Sequence, residues 1–584
     1  MTPAIVAALA ILTYFIGYKL YARHLAERVF ELDPERETPA HSMEDGVDYV
    51  PTKPPILFGH HFASITGLAP MLGPAIAVIW GWVPATLWVV LGALLIGCVH
   101  DLSALVLSSR ERGQSIGSVA ESVLGPRARV MFLCIIFFGV SLAMGVFVFV
   151  ISKLFGLYLV PPSVGEGGAI SAGVEGYPEA VFPSIWLMLI ASVSGWLLQK
   201  KGARLSAVIS VGFSLSLFGI WLGLRFKELG LYGDWWPSSS SWTLGLLGYA
   251  FLASVLPVWT LLQPRDFLNS LLLYLGLGLA YLGLFVDRPD FVAPAFVPEP
   301  VGAPPMLPFV FILIACGAAS GFHGLVSSGT TAKQLDREPD AKPIAYGGMI
   351  GESLLGLLAV LACTAGFRSA DQWHEHYASF HAASGLAKKL GGFIEGTTGF
   401  LTALGLPEAL SSALIAMVVV SFALTTLDSA TRLLRFNIEE LCAPLARRLG
   451  GPFSLLTNRY ISSLLACVTI GSFAFYEVNG KPAALALWAL FGTTNQLLAG
   501  LTLTVATLYL RSRGRSTLYT GVPALFMLTS TFCSMGIKLT ELAAQAQPDL
   551  LLLSVGSALF VLGLWMVLEA LIALKSGSCD PERV

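Results

Sequence analysis

The sequence predicts an all-α, polytopic integral membrane protein, and three observations carry that prediction. Of its 584 residues, 55% are hydrophobic and only 12% charged, whereas soluble domains carry about 25% charged residues. The charges gather in short clusters between apolar runs long enough to cross a bilayer core, which takes roughly 20 helical residues. Those runs are continuous rather than alternating, and a backbone in lipid must satisfy its own hydrogen bonds, so helices are expected and a barrel is not. The formal net charge of −2 singles out no partner class, and nothing points to nucleic acid.

The first span, Thr2 to Tyr21, has its positive charges, Lys19 and Arg23, behind it and no basic region ahead. That is the pattern of a retained helix rather than a cleaved signal peptide. Further spans are expected near 58–80, 82–107, 130–152, 180–198, 204–225, 243–262, 266–286, 306–328, 344–366, 408–428, 458–475, 482–510, 517–537 and 549–574, about 15 in all by length. If all are real, the loops holding Arg110/Arg112/Arg127/Arg129, Lys200/Lys201/Arg204, Lys333/Arg337/Lys342, Arg432/Arg435/Arg447/Arg448 and Arg511/Arg513/Arg515 share one side. Their positive charge makes that side the cytoplasm, with the N-terminus outside and the C-terminus inside. The connections Pro161 to Tyr177, Tyr232 to Ser241 and Asp287 to Pro305 are poor in basic residues, as outer loops should be.

Two connections depart from this plan. Arg23 to Leu57 is long and acidic at "ELDPERETP" and "MEDGVD", and is expected to be a solvated cytoplasmic segment. Phe367 to Pro407 contains "LAKKLGGFIEGTTGFLTALGL", which suits an interfacial or a re-entrant helix. The chain thus divides into a first helix with its acidic segment (1–57), a transport core (58–510) and a C-terminal helical part (511–584). Six of the eight cysteines, Cys98, Cys134, Cys316, Cys363, Cys467 and Cys533, fall inside apolar runs without paired spacing. Neither disulfides nor a zinc site are expected from them.

Ionisable groups inside a span cost several kcal/mol and usually face a cavity or a partner, so the polar residues within the spans are the informative ones. "FGHHFASITGLAPMLGP" (58–74) carries His60, His61, Ser64 and Thr66 ahead of Gly67, Pro70, Gly73 and Pro74. The glycines and prolines interrupt the hydrogen-bond ladder. Freed backbone at membrane depth is tolerated only against protein or water, and discontinuous helices of this sort bind substrate and ions in secondary transporters; the alternative is a Pro-kinked packing helix. "SVLPVWTLLQPRDFLNS" (254–270), five spans on and in the opposite direction, is a candidate inverted-repeat counterpart.

The third span carries His100 and Asp101, which can share a proton or merely satisfy neighbours. In the ninth span, "GAASGFHGLVSSGTT" stacks Ser320, His323, Ser327 and Thr331 on one helical face, beside Ser328 and Thr330. A lined cavity and a small-residue packing face both fit that pattern. Glu352 stands about three turns into the tenth span, where an unpaired carboxylate has the chemistry of a proton carrier. Asp428 and Arg432, in "SFALTTLDSATRLLRF", form either part of the same polar set or an i,i+4 pair at the membrane edge. His60, His61, His100, Asp101, His323, Glu352 and Asp428 all fall in the cytoplasmic half and are expected to converge on one aqueous vestibule.

The runs "FGHHFASITGLAPMLGPAIA", "GCVHDLSALVLSSRERGQSIG", "LPVWTLLQPRDFLNS", "GAASGFHGLVSSGTTAKQLDREPDA", "YGGMIGESL", "FALTTLDSATRLLRF" and "LFGTTNQLLAGL" occur in order from Phe58 to about Leu501. Together they resemble the carbon starvation protein A family. The resemblance implies an inner-membrane transporter of peptides or pyruvate used when carbon is scarce. It also implies kinship with the amino acid–polyamine–organocation superfamily and its LeuT-like inverted repeats. The outer loop "DQWHEHYASFH" (371–381) departs from that pattern; His374, Glu375, His376 and His381 have no tetrahedral spacing and read as a solvated surface cluster.

The site residues follow from motif position and membrane chemistry. His60, His61, Ser64, Thr66, Gly67, His323, Ser327 and Ser328 are the substrate-binding candidates, with half-helix N-termini near Gly67 available to a carboxylate. His100, Asp101, Thr330, Thr331, Glu352 and Asp428 are the ion-coupling candidates. Proton symport is the leading expectation, while Ser327, Ser328, Thr330 and Thr331 with freed carbonyls also suit sodium. No HExxH, GxSxG or P-loop motif is present, so neither an enzyme nor a cofactor is expected. A nutrient sensor on a transporter core is the other class, weakened by short cytoplasmic loops. The expected partners are the lipid bilayer, a small solute and a coupling cation; oligomeric state is not legible.

Overall fold

The computed structural model describes residues 1–160, 163–164, 170–171, 174–478, 481–482, 484–545 and 548–576. Much of the expected outer connection Pro161 to Tyr177, and the tail after Ser576, lie outside the described residues. The helices are α1 (Pro3–Val29), α2 (Pro54–Ile65), α3 (Ala69–Trp80), α4 (Trp82–Arg110), α5 (Pro126–Phe155), α6 (Pro178–Lys201), α7 (Leu205–Glu228), α8 (Ser239–Val255) and α9 (Leu262–Asp287). They continue as α10 (Met306–Leu313), α11 (Gly321–Val326, prolonged by a wide turn Ser327–Thr331), α12 (Glu338–Ala365) and α13 (Leu386–Thr402). Last come α14 (Glu408–Leu449), α15 (Arg459–Ala474), α16 (Ala484–Ser512), α17 (Leu518–Ala543) and α18 (Leu550–Lys575). Prolines open many of them, Pro54 and Pro126 among these, because a first-turn residue needs no intrahelical amide bond.

Among the described residues, 10 helices are long and apolar enough to cross a membrane alone, and α2 with α3 makes an eleventh span as a bent pair. Helices also occupy the remaining expected spans: α8 of 17 residues, α15 of 16, α16 of 29, and the ninth span divided into α10 and α11. Large apolar side chains such as Phe15, Trp221 and Trp565 stay exposed on α1, α7 and α18, as lipid-facing helices require, while α4, α5, α12 and α14 are mostly buried.

The first expected break is present. Thr66 leaves the helix at φ −78°, ψ 91°, and α3 departs from α2 by 47°. Pro70 has no amide to return to the Thr66 carbonyl, so the ladder cannot cross this point. The second break lies elsewhere than expected. Leu256–Leu261, with Pro257, is simply the connection between α8 and α9; the discontinuous span is instead α10–α11, which unwinds from Ile314 to Ser320, the latter extended at φ −126°, ψ 126°. The small residues of "ACGAAS" let neighbouring backbone come close there. A Cβ on Gly73 would stand 2.1 Å from the Leu313 carbonyl oxygen, and one on Gly97 2.2 Å from that of Ala318.

α2 packs on α11 and α3 on α10, so the two broken spans cross the core antiparallel, as halves of an inverted repeat do. α13 packs against α3, α9, α12 and α14, so it is embedded in the bundle rather than lying on its surface.

The Arg23 to Leu57 connection is largely solvent-exposed, as expected, and is also tied to the helix ends. α1 continues to Val29, and the chain then threads between helix ends. Glu338 accepts from the Asp33 amide (2.7 Å), Arg36 Nη1 (3.0 Å) and Arg110 Nε (2.6 Å). Thr52 pairs its amide with the Gln334 carbonyl (3.1 Å), and Gln263 Nε2 donates to both Thr52 Oγ1 (2.8 Å) and Gln334 Oε1 (2.7 Å). Asp48 receives Arg435 Nη2 at 3.0 Å and also Arg432 Nη1. Buried guanidiniums demand such a partner, which explains why acidic residues here are docked.

Candidate functional site

Two polar clusters form where the broken spans meet their neighbours. In the first, the neighbouring histidines of α2 point to different helices, as successive residues on a helix must. His60 Nδ1 donates to Asp266 Oδ2 of α9 at 2.6 Å, because an ionised carboxylate can only accept. Ser64 Oγ reaches the same oxygen at 3.4 Å and Ser429 Oγ at 3.0 Å. Arg265 then joins two carboxylates: its Nη2 donates to Asp266 Oδ1 at 2.6 Å and to Asp428 Oδ1 at 3.0 Å. Tyr249 Oη donates to Asp428 Oδ2 at 2.6 Å. His60, Asp266 and Asp428 are all 0% exposed.

The second cluster spans α4, α11 and α12. Asp101 Oδ1 accepts from His100 Nδ1 at 2.7 Å and Asp101 Oδ2 from His323 Nδ1 at 3.0 Å. On its other side, His323 Nε2 lies 2.9 Å from Glu352 Oε2; the two atoms are in contact but are not aligned as a hydrogen bond. His61 ties the broken spans together, its Nδ1 sharing a hydrogen bond of 2.9 Å with Thr331 Oγ1 of α11. These groups too are buried.

The structure therefore gathers His60, Ser64 and Asp428 in one cluster, and His100, Asp101, His323 and Glu352 in the other, with His61 and Thr331 bridging the broken spans. Thr66 sits at the first break with its hydroxyl buried and unbonded, and Gly67 is held between Phe147 and Thr426. In place of the expected open vestibule, the clusters are closed over by protein. The stripe Ser320–His323–Ser327–Thr331 is not one helical face, because α11 begins only at Gly321 and its last turn is widened. Ser320 turns to Asn495, and Ser327 is buried with no hydrogen-bond partner. Ser328 and Thr330 bond back to the carbonyls of Gly324 (2.6 Å) and Val326 (3.1 Å), so they do not converge with the others. Asp428 does not pair with Arg432: Arg265 already occupies its carboxylate, while Arg432 turns to Asp48. In the outer loop, His374, Glu375 and His381 are exposed and His376 packs on Phe367 and Tyr377.

Sequence reasoning missed Tyr249, Arg265, Asp266 and Asn495. Arg265 and Asp266 stand inside the quoted run "LPVWTLLQPRDFLNS", and an adjacent Arg–Asp pair opening an apolar span was the available signal. Asn495, within "LFGTTNQLLAGL", accepts from the Phe322 amide at 2.9 Å and exchanges bonds with Ser320 at 3.2 and 3.1 Å. It thereby fixes the start of α11.

Known proteins resemble this chain along most of its length. The family model "Carbon starvation protein CstA" matches residues 2–370 and 367–534. A protein of Bacillus subtilis named peptide transporter CstA is 34% identical, covering 87% of this chain and 85% of its own. One of Escherichia coli named pyruvate/proton symporter BtsT is 31% identical, covering 90% of this chain and 80% of its own. Among solved structures, a manganese transporter of Eremococcus coleocola aligns over 91% of this chain and 99% of its own at 11% identity, with a TM-score of 0.45; that score is too low to carry an argument. The length of the family match, the level of identity and the helical, membrane-crossing architecture agree, and the chain belongs to the carbon starvation protein CstA family of transporters.

Proposed function

We propose that this chain imports a small carboxylate such as pyruvate, or short peptides, across the inner membrane by proton symport, with its basic end in the cytoplasm. The observation that carries the reading is the buried line His100–Asp101–His323–Glu352. It links α4, a broken span and α12, and ends on a carboxylate with no hydrogen bond of its own. An imidazole held between two carboxylates can pass a proton from one to the other as the helices rearrange. The name of the Escherichia coli relative, a pyruvate/proton symporter, supports this coupling. The amides following Thr66, at the start of α3, are suited to a substrate carboxylate.

Uptake of labelled pyruvate and of a dipeptide into proteoliposomes, each under an imposed H⁺ or Na⁺ gradient, tests the proposal. Accumulation under the H⁺ gradient is expected, and Glu352→Gln should flatten its pH dependence. Accumulation driven by Na⁺ alone would refute proton coupling, and binding without accumulation would leave a sensor.

A further inference from the structure

Cys316 lies in the unwound stretch before α11, His323 in the first turn of α11 and Glu352 within α12. Their sulfur, ring-nitrogen and carboxylate-oxygen atoms lie within 4.8 Å of one another, and all three residues are buried. Asp101 takes the Nδ1 proton of His323, so in the neutral ring Nε2 is a lone pair. It faces Glu352, and neither His323 Nε2 nor the two Glu352 oxygens have a hydrogen-bond partner. A lone pair opposite a carboxylate is repulsive unless a cation stands between them. A proton answers to two donors, whereas the third, Cys316, adds a soft ligand that suits a metal.

We propose that Cys316, His323 and Glu352 bind a late first-row divalent cation of the zinc class. Asp101, on the far nitrogen of His323, takes the orienting place that carboxylates occupy behind metal-bound histidines. Thiolate, carboxylate and neutral imidazole together neutralise a divalent charge, so the occupied site buries no net charge of its own. Ligands on one tetrahedral zinc ion stand roughly 3.5 Å apart, given bonds of about 2.0–2.3 Å. Cys316 must therefore close in by about an ångström while the His323–Glu352 pair, at 2.9 Å, opens slightly; Cys316 can move because no helix constrains its backbone. Occupancy would remove Glu352 from proton traffic; that consequence rests on the proposed symport, whereas binding itself does not.

Cobalt titration of the purified full-length protein in detergent, with no substrate and no gradient, tests binding apart from transport. One equivalent of Co²⁺ should bind with a thiolate-to-cobalt charge-transfer band and be displaced by Zn²⁺. Cys316→Ser, which keeps a hydroxyl for Ser320 and Asn495, should abolish the band and weaken binding at least tenfold; Asp101→Asn should weaken it by about 10–100-fold. Monodisperse elution of each variant establishes folding. No thiolate band in the wild type, or a band that persists in Cys316→Ser, would overturn the assignment.

Discussion

Arg265 stands between Asp266 and Asp428 with about 1% of its side chain exposed. A buried charge is tolerable only while paired, and removing one partner typically costs about 3–5 kcal/mol. Arg265→Met keeps the apolar stem but leaves two buried carboxylates facing each other. We predict a clear drop in thermal midpoint in detergent, whereas Arg265→Lys, which retains one charge and loses the fork geometry, should fall between. Unchanged melting of Arg265→Met would mean that the network is not needed for stability. The histidines divide by partner: His60 holds Asp266, and His61 holds Thr331 across the two broken spans. Both were recognisable in the sequence as intramembrane polar residues. Their partners were not, because a carboxylate two hundred residues away becomes a neighbour only through packing. Asp428 illustrates the same limit, since the nearest opposite charge in sequence, Arg432, is not the one it meets.

Each element was legible to the degree that its signal was local. The break at Thr66–Leu68 follows from Pro70 and Gly67, which act on their own turn of backbone. The break at Ile314–Ser320 has no proline within it. It is held open by contacts from elsewhere, namely Gly73, Gly97 and the side chain of Asn495, and a sequence pattern of small residues reads equally well as a helix-packing face. The apparent counterpart at Pro257 had the strong local signal and proved to be a turn. Glycine at position 73 is thus a requirement of packing between α3 and α10: a Cβ would lie 2.1 Å from the Leu313 oxygen, against a carbonyl that cannot swing away as a flexible side chain would. Gly73→Val should force the two broken spans apart, at a cost of about 1–3 kcal/mol typical of overpacking. Uptake should fall more than folded yield if the proposed symport works through the two broken spans. Equal uptake per folded molecule in Gly73→Val and wild type would show that the close approach does not serve transport.

For the molecule as a whole, the docked acidic segment ties together helix ends from distant parts of the chain. The segment after α1 is fastened by Glu338 to Arg36 and Arg110, by Glu31 to Arg515, and by Asp48 to Arg432 and Arg435. Asp48 is the one that reaches inward, onto two almost fully buried guanidiniums of α14. Burial alone pushes its carboxyl up, but the Arg432 and Arg435 charges outweigh that and hold it below the ordinary aspartate range. A carboxyl whose folded value is depressed stabilises the fold above its unfolded pKa, near about 3.9, and that contribution is lost as pH falls through the lower folded value. Asp48→Asn should therefore be destabilised at neutral pH, where it leaves both guanidiniums without their countercharge. The gap between variant and wild type should narrow as pH drops below about 4, where the unfolded carboxyl protonates, and close only below the depressed folded value, where the native carboxyl also becomes neutral. Thermal midpoints of the two proteins in one detergent, measured from pH 7 downward, read both parts of the prediction. A gap that is absent at pH 7, or that stays constant into acid, would show that other contacts fasten the segment.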